Sequence, residues 1–170
     1  YSFDATPSDV PTDHAIRGFH SVTISLADEA ATANLLTGPL GFAAGPREGN
    51  RARFTATGPT PSSARGATII DLVTDPSLPQ STLGAGTVHH LALRATDDAH
   101  QQRMSEALVA LGRRPTSQRE RVYFRSIYFR EPGGTLLEIA TDGPGFTADQ
   151  PASELGTRLM LPPWLQRDQR

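Results

Sequence analysis

The chain has 170 residues, enough for one compact unit with a real core and a little short for two separate domains. Its net charge is −2 and it holds no basic run and no apolar stretch of membrane-spanning length, so nucleic acid, bilayer insertion and export signals lose support, and a cytoplasmic soluble protein is the expectation. Cysteine is absent, which excludes disulfides, thiolate zinc sites and cysteine nucleophiles, and all 16 basic residues are arginine, which excludes lysine Schiff-base chemistry.

Residues 1–16 are rich in Pro, Asp and Thr without a period of two or 3.6, and read as a linker or arm; the missing initiator Met points to a processed or partial chain. Residues 17–76 then read as a first module: "GFHSVTISL" alternates as a strand, "ADEAATANLLTGPLGF" has helical spacing closed by Gly38 and Gly41, and "RARFTAT" and "GATIIDLVTD" are β-rich. After a Pro/Ser/Gly-rich loop the pattern returns over residues 77–145, with "VHHLALRA" as a strand, "TDDAHQQRMSEALVALGR" as a helix starting near Asp97 or Asp98, and "SIYFREPGGTLLEIATD" as a hairpin. Residues 146–170 form a tail expected to pack on the modules, its "LMLPPWL" covering an apolar sheet edge or bringing Trp164 to a pocket mouth.

The repeat is the main architectural signal. Laying "FHSVTIS" on "VHHLALR" matches Val22 with Leu91 and Ile24 with Leu93, and laying "TIIDLV" on "TLLEIA" matches Asp71 with Glu138. The expected class is α+β: paired βαβββ modules forming a cup-shaped mixed sheet with a helix on each outer face.

Strand parity then sorts the side chains. His90, Ala92 and Arg94 share one face, opposite His89, Leu91 and Leu93; in the hairpin, Tyr128 and Arg130 oppose Ile127 and Phe129, and Glu138 stands among apolar neighbours. A buried acid there is costly unless something positive or hydrogen-bonding meets it. His90 and Glu138 are expected to converge, either as a structural ion pair or as two thirds of a 2-His-1-carboxylate set that leaves open positions on non-haem Fe(II). Asp71 reads as a vestigial ligand or as the partner of a nearby Arg, Arg121 and Arg125 as edge-strand charges that discourage sheet association, and His14 and His100 as solvated.

The adjacent histidines, the module repeat and "YFREPGGTLLEIATD" resemble the vicinal oxygen chelate superfamily, which includes glyoxalase I, bleomycin-resistance proteins and extradiol dioxygenases. "IRGFHSVTISL", "VHHLAL", "RERVYFRSIYFREPGGTLLEIATDGPGF" and "LGTRLMLPPWL" are similar to the C-terminal half of hydroquinone-type ring-cleaving dioxygenases, over residues 15–165. The resemblance implies an Fe(II)-dependent dioxygenase, with Mn, Ni or Zn as alternative metals, acting with O2 on a small aromatic substrate of the hydroquinone or catechol type. It assigns His90 and Glu138 to the metal, His89 to orienting the ligand or contacting substrate, and Arg121 and Tyr128 to the pocket, with His89, Tyr128 and Arg121 as the catalytic candidates.

One position departs from that pattern. Ser21 aligns with His90 in the first module, and serine is a poor Fe(II) ligand, so the third protein ligand is expected from a missing N-terminal half or from a second copy in a homodimer. His20, aligned with His89, is the fallback and needs a bulge or register change to serve. The rival readings are a glyoxalase-type metal-dependent lyase or isomerase and a metal-free small-molecule binding module.

Overall fold

The computed structural model describes residues 10, 11, 13, 14, 18–58, 68–80, 82 and 84–166, so the expected arm over residues 1–16 lies largely outside the described residues. The chain divides into two compact units, Tyr1–Gln80 and Ser81–Arg170. Each holds one four-stranded mixed sheet, neither closed into a barrel, and the class is α+β as expected.

In the first unit, β1 (Ser21–Leu26) leads to α1 (Ala30–Thr37), then β2 (Phe42–Glu48), β3 (Arg51–Ala56) and β4 (Ile69–Thr74), in spatial order β1-β4-β3-β2. Only β1 and β4 run parallel, because α1 carries the chain across before the three remaining strands follow as antiparallel neighbours. The alternation seen in "SVTISL" is a burial alternation, with Ile24 and Leu26 in the core beside Leu35 and Leu36 of α1 and Phe54, Ile70 and Leu72 of the sheet. β2 carries no such alternation, since Gly45 and Pro46 interrupt it and the register against β3 shifts between Ala44 and Arg47. It forms anyway because a two-residue turn, with Gly49 at φ +55°, folds it back onto β3.

The second unit repeats this plan with β5 (Leu91–Ala95), α2 (Asp98–Ala110), β6 (Arg119–Glu120), β7 (Arg125–Arg130) and β8 (Leu136–Thr141), in order β5-β8-β7-β6. Asp97 caps α2 by accepting the His100 N–H at 2.7 Å, as its position before the helical run suggests. His100 is not simply solvated: its Nδ1 accepts the Thr96 N–H at 3.3 Å.

Gln101, on the buried face of α2, donates to the Arg125 carbonyl at 3.0 Å and the Ile139 carbonyl at 2.7 Å, which ties the helix to two strands at once. The turn between β7 and β8 is held from inside. The buried Glu131 carboxylate accepts the N–H groups of Gly133 and Thr135, each at 2.6 Å, while Gly134 takes φ +100°, open to glycine at no steric cost.

The alignment read from the sequence matches the strand registers. Thr23 pairs with Asp71 across β1 and β4, and Ala92 pairs with Glu138 across β5 and β8. Arg53 faces Asp71 in β3, and Tyr128 faces Glu138 in β7. The two acids therefore occupy one and the same position of two copies of a module.

Candidate metal centre

Glu138 sits in the middle of β8, flanked along the strand by the core residues Leu137 and Ile139, and is itself 3% exposed. A carboxylate so placed needs partners, and two are supplied. Tyr128, directly across the ladder on β7, donates its hydroxyl to Oε1 at 2.6 Å, and His90 brings Nε2 to 2.8 Å from Oε2. The imidazole of His90 also meets the Tyr128 ring edge-on at 5.7 Å between centroids. Imidazole, phenol and carboxylate thus form one cluster, with the acid at its buried end.

The expectation that His89 and His90 face opposite ways is corrected. Their Nδ1 atoms lie 2.7 Å apart and the rings stand perpendicular at 5.1 Å, because both residues precede β5 and no ladder imposes strand parity on them. One ring must donate and the other accept, so the two imidazoles fix each other's tautomer. His89 thereby orients the ring of His90, with Nε2 of His90 turned toward Glu138.

Arg121 reaches the same cluster from the turn between β6 and β7. Its NH2 donates to the Tyr128 hydroxyl at 3.3 Å, its Nε to Ser126 Oγ at 3.3 Å, and its guanidinium carbon stands 5.5 Å from the centre of the Tyr128 ring. With Val122, Tyr123, Met160, Pro162 and Trp164, Arg121 also lines an open groove of about 320 Å³. Phe146 of the tail packs its ring on Tyr123 at 4.9 Å and Gln150 is buried, whereas Leu159 and Trp164 are 84% and 63% exposed.

The corresponding position of the first unit is filled differently. Asp71 accepts from Arg53 Nε at 2.8 Å and NH2 at 2.9 Å and from Arg51 NH1 at 2.9 Å, so the partner-of-arginine reading holds and a ligand role does not. The Arg53 hydrogen bonds hold the carboxyl down at about 2, with Arg51 adding to them against the cost of burial. Arg51 also donates to Thr23 at 3.2 Å, a contact that a single strand's sequence does not announce. Ser21 stands in β1 where the second unit has His90, and His20 is exposed in the segment before it.

Metal fit is a matter of the donor set. His90 and Glu138 offer one nitrogen and one oxygen on converging atoms, and among the described residues no arginine pairs with Glu138 to cancel its charge. That is two of the three protein donors such a site uses. Among the described residues no group of three His, Asp or Glu side chains is placed to hold a metal.

The Glyoxalase/Bleomycin resistance protein/Dioxygenase superfamily model matches residues 3–139. MhqO of Bacillus subtilis, named as a ring-cleaving dioxygenase, is 39% identical over 157 residues, covering 92% of this chain and 48% of that protein. Chlorohydroquinone/hydroquinone 1,2-dioxygenase of Sphingobium indicum is 32% identical over 160 residues, covering 92% and 48%. The crystal structure of a protein from Bacillus subtilis named as a dioxygenase superposes with a TM-score of 0.79 at 38% identity, over 94% of this chain and 49% of that one. The chain spans about half the length of the curated relatives it matches. A repeated βαβββ module, the family match over most of the sequence and relatives named for ring cleavage lead to one conclusion: the chain belongs to the glyoxalase/bleomycin resistance/dioxygenase superfamily.

Proposed function

We propose that this chain carries the His90 and Glu138 portion of the Fe(II) site of a ring-cleaving dioxygenase acting on a hydroquinone or catechol-like aromatic. The third protein ligand would come from a segment outside this chain or from a second copy of it. The observation that carries the reading is the approach of His90 Nε2 to 2.8 Å from Glu138 Oε2, with a buried carboxylate that no arginine neutralises among the described residues. The hydroquinone dioxygenase among the relatives supports the substrate class and the use of O2.

Fe(II), when bound, supplies open coordination positions and a path for electrons between an electron-rich ring and O2. The chain's own residues prepare that position. Tyr128 occupies Oε1 of Glu138, so Oε2 is the atom left to face His90, and His89 sets the His90 ring through Nδ1. Outer partners of this kind typically contribute about 10–100-fold to metal affinity or activity. Arg121 places a fixed positive charge beside the Tyr128 hydroxyl, where it stabilises negative charge on a substrate oxygen. Tyr128 and His89 are the groups able to hold or pass a proton at that oxygen, a role worth about 10²–10⁴-fold when positioned.

The test is anaerobic Fe(II) reconstitution followed by O2 uptake with hydroquinone, on this chain and on a longer protein containing the additional half. The expected result is uptake by the longer protein, abolished by His90→Ala or Glu138→Ala. Nickel- or zinc-dependent turnover of a hemithioacetal would replace the reading with a lyase. Stoichiometric ligand binding that survives both substitutions, without O2 uptake, would replace it with a binding module.

A further inference from the structure

Val122 is the one non-glycine residue with positive φ among the described residues, at φ 71°. For a β-branched side chain this region is strongly disfavoured, whereas glycine or asparagine enters it at little cost. Such a conformation persists only where its surroundings over-determine it. Here the surroundings are specific. Glu120 Oε1 accepts two successive backbone N–H groups, those of Arg121 at 3.1 Å and Val122 at 3.0 Å, while its Oε2 accepts from Arg125 Nε at 3.1 Å. Arg125 is anchored in turn on Asp98 of α2, and the Arg121 N–H also reaches the Phe124 carbonyl at 2.9 Å.

The reversal at Val122 sends its two neighbours to different places. Tyr123 turns to the tail, donating its hydroxyl to Asp149 at 2.7 Å, and Arg121 turns to Ser126 and Tyr128. An arginine on an exposed turn loses side-chain freedom when it is held in one pose, so a turn of fixed shape lowers what its hydrogen bonds must overcome. We infer that Val122 and Glu120 are positioning residues, whose clamped left-handed turn aims Arg121 at the Tyr128 hydroxyl and thereby at the oxygen of Glu138. The inference rests on the reading of Tyr128, Glu138 and His90 as one site.

Two sets of variants of the full chain test it. At an ordinary position glycine is less stable than alanine; here Val122→Gly is expected to unfold at a higher denaturant midpoint than Val122→Ala, because only glycine removes the strain. The Arg121 Nε–H signal in a nitrogen-resolved magnetic resonance spectrum reports the pose directly. Its exchange with solvent is expected to quicken about tenfold in Glu120→Ala and in Val122→Gly, and to return close to the wild-type rate in Glu120→Gln, whose carbonyl oxygen still accepts both N–H groups.

A merely structural residue would lose stability and arginine order together, so a stabler Val122→Gly with a looser Arg121 supports the inference. Unchanged Arg121 exchange in both Glu120→Ala and Val122→Gly, or the ordinary order of glycine below alanine, overturns it. Neither readout needs metal or turnover, so a failure of O2 uptake would sink the dioxygenase reading and leave this one to be decided separately. Where uptake is obtained, Glu120→Ala and Val122→Gly lower kcat about tenfold with little change in KM, and Glu120→Gln stays close to wild type.

Discussion

The two units put an acid at the same register position and surround it with opposite chemistry. Asp71 meets two guanidinium groups, so its charge is closed off within the sheet; Glu138 meets a phenol and an imidazole, and no arginine among the described residues pairs with it. The module fixes where the carboxylate stands, and three neighbouring positions decide its use: Arg53 against Tyr128, Ser21 against His90, and Arg51 reaching across one copy only. Reuse of a fold therefore does not duplicate a site. In one copy the carboxylate meets an imidazole and a phenol, while in the other it is drawn into a cross-strand ion cluster.

The contrast is broken most severely at Glu138. Glu138→Gln is expected to lower metal affinity by more than about a hundredfold, beyond what outer partners typically cost, with little loss of stability, since it removes a buried charge and leaves its partners hydrogen-bonded. Anaerobic calorimetric titration with Fe(II), on the longer protein, reads the first part and urea unfolding the second. Asp71→Asn reverses the pattern. It is expected to cost about 2 kcal/mol in urea unfolding, by leaving two guanidiniums without their carboxylate, and to leave metal binding unchanged. A large loss of metal affinity in Asp71→Asn would show that the first unit takes part in the site after all.

The smallest effect is the dependence on acid. The folded pKa of Asp71, about 2, lies below its ordinary value of 3.8, so its contribution is fully present above that value and is lost as the pH falls through about 2. Allowing for screening of the half-exposed arginines, that contribution is about 1–2 kcal/mol. Urea midpoints between pH 5 and pH 2 should fall more steeply for the wild-type chain than for Asp71→Asn.

The repeat was legible because each copy writes its core as alternation: Ile24 and Leu26 in β1, Ile127 and Phe129 in β7. The helix α2 was legible from Asp97 and the spacing of its apolar residues, and the β7–β8 hairpin from its Pro-Gly-Gly turn. β2 was not, because Gly45 and Pro46 erase its period and a neighbouring strand, rather than local preference, holds it extended. The joining of His90 to Glu138 followed from strand parity at the two residues and from the family resemblance, but the edge-on contact of His89 with His90 did not, since parity lapses one residue before the ladder begins. Val122 gave no signal at all. A left-handed valine is imposed by Glu120 and the chain on either side of it, and nothing in the residue's own chemistry asks for that conformation.

Gln101 carries one more implication. Its amide straps α2 to the carbonyl of Ile139, the residue next after Glu138, and to that of Arg125, while its own oxygen accepts from Gln118. The outer helix is thereby mechanically continuous with the strand that presents the carboxylate on the opposite surface. A designer who treats α2 as interchangeable cladding would disturb the seating of the Glu138 carboxylate from behind, without altering any of the side chains that meet it.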